Sequence, residues 1–141
     1  MGLDAKVRMR LLEAARQAAT LAYAPYSKFK VGAAVLDERG QIHTGANIEN
    51  SSYGLTVCAE RTAIFRAVLS GARRIEAIAV TCPAATLQSG PGESMPCGAC
   101  RQVIAEFTSA EGAIFVDRVG DFTLAELLPQ PFRLSVPSTV S

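Results

Sequence analysis

The sequence has no tryptophan, a single histidine and no long hydrophobic run. A helix that spans a bilayer needs about 18 consecutive apolar residues, and no stretch of this chain reaches that length. The N-terminus also lacks the apolar core and the cleavage pattern of a secretory signal peptide. We therefore expect a cytoplasmic protein with no membrane partner, whose cysteines are thiols or metal ligands and seldom disulfides.

Charge of either sign is also scarce. Charged residues make up 19% of the chain, and the formal net charge is +1. Partners such as nucleic acids and anionic lipids require clustered Lys and Arg. The one basic pair, Arg73-Arg74, is interpreted as a solvated turn between a helix and a strand. We therefore expect no nucleic-acid partner.

The length and the apolar content indicate a single domain with subunit contacts. A chain of 141 residues can bury about two-thirds of its unfolded surface without disulfides. We expect one domain over residues 1–141. The mean hydropathy of +0.21 is high for a soluble monomer. Some of the apolar surface is therefore expected to lie between subunits.

Helical and extended patterns alternate along the chain. Apolar residues at helical spacing predict helices over 4–22, ended by Pro25, and over 59–70, with Gly71 at the C-cap. The other predicted elements are a hairpin (30–36 with 41–45), a buried strand (75–80), a loop (83–96), a helix (98–107), a strand (113–116) and a short helix from Thr123. Together they predict an α/β fold, a three-layer α/β/α sandwich with a mixed sheet of about five strands.

Three cysteines lie at predicted helix N-termini. Cys97 and Cys100 form a C-x-x-C step at the start of one helix, a spacing that can aim two thiolates at one ion. This step alone is also compatible with a redox pair or half of a zinc ribbon. Cys58 precedes a second helix, and both helix dipoles favour negative charge at these positions. The three thiolates therefore predict a zinc site.

Three protein ligands leave the fourth tetrahedral position open for water, which separates a catalytic zinc from a structural one. Cys82 is a possible fourth ligand, but it ends an apolar strand, where a buried inert thiol is the commoner role. The only histidine, His43, lies in a predicted hairpin strand, and we expect it to be a surface or packing residue.

Glu60 follows Cys58 by two residues, where a carboxylate can move protons beside the metal without binding it. Zinc deaminases carry H-x-E followed by P-C-x-x-C, and this chain has C-A-E followed by P-C-G-A-C. A glutamate in the first turn of a helix is also favoured by the helix dipole alone. The interpretation of Glu60 as the catalytic residue therefore depends on the flanking ligands.

Three thiolates overcompensate the charge of a zinc ion and weaken its ability to acidify water. A guanidinium that hydrogen-bonds a thiolate sulfur would offset the excess charge. Arg61 and Arg101, each one residue from a ligand, are the candidates, with solvent exposure as the alternative for both.

Five segments in order resemble the small homotetrameric zinc-dependent cytidine deaminases. The resemblance covers about residues 23–132 and is carried by A-P-Y-S-K-F-x-V-G-A-A (24–34), N-I-E-N (47–50), C-A-E-R-T-A (58–63), P-C-G-A-C-R-Q-V (96–103) and E-L-L-P (126–129). It implies the sandwich fold of that family, one Zn²⁺ per subunit on Cys58, Cys97 and Cys100, and Glu60 as the proton shuttle.

The same resemblance implies the substrate contacts and the assembly. Asn47 and Glu49 would hold the ribose hydroxyls, Phe29 would pack on the base, and Tyr53 would lie at an interface of the homotetramer. The implied reaction is hydrolysis of free cytidine and deoxycytidine to uridine and deoxyuridine with release of ammonia, a step of pyrimidine salvage.

Other functions remain open from the sequence. Residues 83–96 form a longer loop, and residues 116–123 a shorter segment, than is usual in that family. A deaminase of a modified cytosine nucleoside or of a cytosine-containing antibiotic is therefore an alternative. A zinc or nucleoside-binding module without turnover is disfavoured by the intact Glu60. A polynucleotide-editing deaminase needs a basic groove and stacking aromatics, which this composition does not favour.

Overall fold

The computed structural model describes residues 3–85 and 91–136, so part of the predicted loop over 83–96 lies outside the described residues. The helices and strands are α1 (Ala5–Ala19), β1 (Gly32–Asp37), β2 (Ile42–Ala46), α2 (Ala59–Leu69), β3 (Ile75–Thr81), α3 (Gly98–Phe107), β4 (Ala113–Val116), β5 (Gly120–Thr123) and α4 (Leu124–Leu127). In this part of the chain, no helix combines the length and the apolar character needed to cross a membrane.

The strands form one mixed sheet in the order β2-β1-β3-β4-β5. Strand β1 is antiparallel to β2 and β3, β3 is parallel to β4, and β4 is antiparallel to β5. A parallel pair needs a crossover connection, and the segment that contains α3 supplies it. Helix α1 packs on one face of the sheet, and α2 and α3 pack on the other. The predicted three-layer α/β/α sandwich is confirmed.

The end of helix α1 and strand β5 differ most from the prediction. Helix α1 ends at Ala19, three residues early, because Thr20 caps it and the Thr20 hydroxyl donates to the Gln17 carbonyl oxygen at 2.7 Å. The fifth strand, β5, was not located by the hydrophobic pattern. Its sequence, G-D-F-T, is short and half polar, and it becomes a strand by pairing with β4 across a tight turn.

Two glycines allow the helices to lie directly on the sheet. A Cβ atom on Gly32 would lie 1.9 Å from the Ala15 carbonyl oxygen of α1, and one on Gly45 would lie 2.3 Å from the Ala63 nitrogen of α2. Gly45 is paired with Ala33, the neighbour of Gly32. Because neighbouring strand residues face opposite sides, the two glycines lie on opposite faces of the sheet. Helix α1 therefore lies against one face and the first turns of α2 against the other, without an intervening side chain.

His43 belongs to a polar cluster around the buried Asp37 in the β1–β2 hairpin. Its Nε2 atom lies 2.8 Å from the Asp37 carboxylate, which also accepts bonds from the backbone N–H of Arg39 and of Gln41. Burial of Asp37 opposes its ionisation, but the bonds from His43, Gln41 and Arg39 outweigh burial and lower the pKa of this carboxyl. His43 therefore packs against the hairpin turn and is not one of the described residues that are spaced to bind a metal.

Candidate active site

Three thiols meet where helices α2 and α3 begin. Cys58 and Cys97 are the N-cap residues of these helices, and neither side chain bonds the backbone of its own helix. The sulfur of Cys97 lies 4.0 Å from that of Cys58 and 3.5 Å from that of Cys100, and all three lie within 4.8 Å of one another. A tetrahedral zinc ion with Zn–S bonds of about 2.3 Å separates its sulfurs by about 3.8 Å. The cluster therefore fits one zinc ion.

The thiols influence one another's ionisation. The neighbouring Cys100 thiol and the Arg61 guanidinium lower the pKa of Cys58, and the contact with Cys58 in turn raises the pKa of Cys100. A divalent cation removes this competition, because thiols bind zinc as thiolates and release their protons. Uptake of zinc at this cluster is thus coupled to proton release.

The two arginines beside the cysteines have different partners. The Nη2 atom of Arg61 lies 3.4 Å from the Cys58 sulfur, so the positive guanidinium contacts one of the three cysteines of the cluster. Arg101 instead donates to the carbonyl oxygens of Pro96, at 2.8 Å, and Leu127, at 2.9 Å. Within the described residues, the expected contact with a thiolate is therefore seen for Arg61 and not for Arg101. Arg101 joins the turn before Cys97 to helix α4.

A cavity of about 230 Å³ opens beside the thiols, and Glu60 lines it. Glu60 is only 4% exposed. Burial, together with the negative charge of Cys58, raises the pKa of Glu60 to about 7. The carboxyl can therefore both accept and release a proton near neutral pH. The remaining wall is formed mainly by Val31, Asn47, Thr56, Val80, Cys82, Ser94 and Met95.

Cys82 lines the same cavity but stands apart from the thiol cluster. Burial raises the pKa of its thiol to about 11, and its sulfur lies 3.8 Å from the Glu93 carbonyl oxygen. Among the described residues, the group spaced to hold a metal consists of Cys58, Cys97 and Cys100. Cys82 is thus a neutral wall residue, and the three-ligand arrangement keeps one metal position open.

The three residues predicted to contact a nucleoside are placed differently. Asn47 lines the cavity, and its side chain accepts a bond from the Val31 N–H at 2.8 Å and donates to the Phe29 carbonyl oxygen at 2.9 Å. Glu49 accepts bonds from the backbone N–H groups of Tyr26 and Ser27. Phe29 is half-buried outside the cavity wall. Asn47 and Glu49 therefore hold the segment from Tyr26 to Val31 at the rim.

Several wall residues were missed by the sequence reasoning. Val80 is one of them: it lies two positions before Cys82 at the end of β3, and it lines the same cavity. Residues two positions apart in a strand lie on one face, so the sequence pattern could have placed Val80 and Cys82 in the same wall. Ser94 and Met95 come from the segment before Cys97, whose course no local pattern predicts.

The different surroundings of the cysteines lead to a test of the ligand set. Cys100→Ala removes one of three ligands, and we expect the zinc content to fall from one per chain to less than half of that value. Cys82→Ala is the matched control, because it removes a buried thiol from the same cavity, and it should keep one zinc per chain. Elemental analysis after gel filtration measures both. Equal zinc contents in the two variants would contradict the assignment.

Comparison with known proteins agrees with this geometry. Residues 5–116 match the model of the cytidine and deoxycytidylate deaminase zinc-binding region. The chain is 47% identical over 127 residues to a cytidine deaminase from Sporosarcina psychrophila, covering 87% of this chain and 89% of the relative. It is 48% identical over 129 residues to one from Halalkalibacterium halodurans, covering 89% and 93%.

Solved structures give the same result. The crystal structure of cytidine deaminase from Mycobacterium tuberculosis is similar with a TM-score of 0.79 and 42% identity, covering 93% of this chain and all of the other (100%). That of cytidine deaminase from Burkholderia pseudomallei has a TM-score of 0.77 and 43% identity, covering 88% and 98%. The thiol cluster, the neighbouring Glu60 and these similarities lead to one conclusion: the chain belongs to the cytidine and deoxycytidylate deaminase zinc-binding family.

Proposed function

We propose that this chain hydrolyses free cytidine and deoxycytidine to uridine and deoxyuridine with release of ammonia, as a cytoplasmic enzyme of pyrimidine salvage. The observation that carries the proposal is a buried Glu60 in the wall of a cavity that opens beside a cluster of three zinc-spaced thiols. The relatives described above are cytidine deaminases, which supports a free nucleoside as the substrate.

The proposed chemistry uses Glu60 as a proton carrier. Zinc, when bound to the thiolates, lowers the pKa of a water molecule toward neutrality and so supplies the nucleophile for C4 of the base. Glu60 takes the first proton from the water and delivers it to ring N3. Once the water oxygen has bonded to C4, Glu60 transfers the remaining proton of that hydroxyl group to the amino group, the C4–N4 bond breaks, and the electron pair leaves with ammonia. The oxygen stays on C4 as the uracil carbonyl.

The rim segment is proposed to hold the sugar and the base. The Asn47 amide oxygen accepts a bond from the Val31 N–H, and one amide N–H donates to the Phe29 carbonyl oxygen. One lone pair and one N–H therefore remain for a sugar hydroxyl. Glu49, fixed by the Tyr26 and Ser27 N–H groups, adds an acceptor. Phe29 lies between these anchors and offers an aromatic face for the base.

Arg61 is proposed to tune the metal site. Its guanidinium withdraws charge from the Cys58 sulfur, 3.4 Å away, and so restores part of the acidifying power that three thiolates remove. Arg101 is not part of this proposal, because its donors bind carbonyl oxygens.

The assembly is proposed to be a homotetramer with Tyr53 at an interface. Apolar side chains are exposed on the segment that leads to Cys58: Ile48 is 52% exposed, Tyr53 75% and Leu55 67%. Tyr53 also contacts Tyr26 edge-to-face, with ring centroids 6.2 Å apart. A cluster of exposed aromatic and aliphatic groups beside a binding cavity is typical of a subunit contact.

Replacement of Glu60 by Gln tests the proposed chemistry. Gln is the same size but cannot carry a proton, so we expect the release of ammonia from cytidine to fall at least a hundredfold while one zinc per chain remains bound. Glu106→Gln, an exposed change on α3, is the control and should keep full activity. Near-normal turnover by the Glu60 variant would show that another group moves the protons.

Replacement of Arg61 by Gln tests the tuning of the thiolates. Loss of one charged hydrogen bond to a ligand sulfur should lower kcat about tenfold, as is common for groups that support metal ligands. Arg66→Gln removes an exposed arginine from the same helix and should leave kcat unchanged. Equal kcat values for the two variants would show that Arg61 does not tune the metal site.

Tyr53→Asp tests the proposed interface. A buried charge at a subunit contact is costly, so sedimentation velocity should show the tetramer dissociating into smaller species. Met9→Asp, at an exposed position of α1, is the control and should remain tetrameric. A tetramer that is unaffected by Tyr53→Asp would place the interface elsewhere.

A further inference from the structure

The junction between strand β2 and the first turn of helix α2 is built with little space between the two backbones. A Cβ atom on Gly45 would lie 2.4 Å from the Thr62 hydroxyl oxygen and 2.7 Å from the Ala59 carbonyl oxygen. Real Cβ atoms do not approach backbone or hydroxyl oxygens that closely, so only glycine fits at position 45. The Thr62 hydroxyl thus lies directly against the strand.

Thr62 links two segments of the site through one hydroxyl group. Its Oγ1 atom lies 2.9 Å from the Ala46 carbonyl oxygen and 2.9 Å from the Ala59 carbonyl oxygen. A threonine hydroxyl has a single proton to donate, so the two carbonyl groups share it. One belongs to the strand and the other to the helix.

Each of these two carbonyl groups directly precedes a residue that lines the cavity. Ala46 is followed directly by Asn47, and Ala59 is followed directly by Glu60. Asn47 and Glu60 both line the cavity, whereas Thr62 does not. The Thr62 hydroxyl therefore joins the peptide that leads to the proposed sugar contact to the peptide that leads to the proposed proton carrier.

The neighbouring connection between the same segments depends on backbone groups alone. Ile48 and Val57 exchange two hydrogen bonds, at 2.9 and 3.0 Å, and Val57 leads to the zinc ligand Cys58. That pair fixes the approach to the metal ligand. The Thr62 bridge lies on the other side of Cys58, one turn into the helix and two residues after Glu60.

We propose that Thr62 is a positioning residue, whose hydroxyl fixes the distance between the Glu60 carboxyl and a nucleoside held at Asn47. This inference rests on the proposed deaminase function. It assigns Thr62 no contact with substrate or metal. Loss of the hydroxyl should misplace Glu60 relative to the base while the zinc ligands and the rim segment keep their own bonds. The effect should therefore appear in kcat and not in nucleoside binding.

Three variants of the full-length zinc enzyme test the proposal. Thr62→Val keeps the shape and removes the donor, and Thr62→Ser keeps the donor. Ser70→Ala is the matched control, because Ser70 makes the same kind of bond at the other end of α2, to the Arg66 carbonyl oxygen at 2.9 Å. For each protein we would measure kcat and KM for cytidine, the Kd of uridine by calorimetry, the zinc content and Tm.

We expect Thr62→Val to lower kcat about tenfold, the effect of one hydrogen bond that is used fully only in the transition state. Its KM and its Kd for uridine should stay within about twofold, with one zinc per chain. Thr62→Ser should restore kcat to within about threefold of the wild type, and Ser70→Ala should not change it.

A lower Tm with an unchanged kcat in Thr62→Val would mean that the hydroxyl only stabilises the fold, and loss of zinc would mean that it serves the metal. Either result overturns this inference while leaving the proposed function in place, because the wild type still turns over cytidine. A wild type that releases no ammonia from cytidine overturns the proposed function and this inference together.

Discussion

Helices α2 and α3 begin at the same place on one face of the sheet, and each carries a cysteine at its N-cap. The positive ends of both helix dipoles therefore point at one small volume, and a third cysteine, Cys100, completes it from the first turn of α3. The Cys58 thiolate is stabilised there before any cation binds, and a zinc ion joins the two helices. The cavity, the position of Glu60 and the contact of Arg61 all depend on this convergence.

The electrostatics of the site follow from placing a carboxyl next to thiolates. Glu60 is buried close to the negative Cys58, and both effects favour its protonated form. The pKa of this carboxyl therefore lies above that of an exposed glutamate. Arg61 is the positive group that limits the excess charge, since its guanidinium contacts the Cys58 sulfur. A substrate at this site meets a nearly balanced set of charges in a largely apolar wall.

Much of the metal site could be predicted from the sequence, because its ligands are set by local spacing. The C-x-x-C step and the C-A-E step each place their residues on one helix turn, and this needs no knowledge of the tertiary fold. The role of Arg101 could not be predicted in the same way. One residue from a ligand, it was as good a candidate as Arg61, but its donors reach the Pro96 and Leu127 carbonyl oxygens because α4 packs there. Strand β5 was missed for a similar reason, since its pairing with β4 and not its composition makes it a strand. Contacts with a neighbouring element, and not the composition of the segment itself, decide both outcomes.

The three thiolates are proposed to hold a single zinc ion that is required for deamination beside Glu60. Adding zinc in steps to metal-free protein, while following the loss of cytidine and the release of ammonia, tests it most directly. We expect no turnover without metal, a linear rise in initial rate with added zinc, a sharp break at one zinc per chain, and one ammonia for each uridine formed. Full turnover in the metal-free protein, or stoichiometric zinc binding without any release of ammonia, would contradict it.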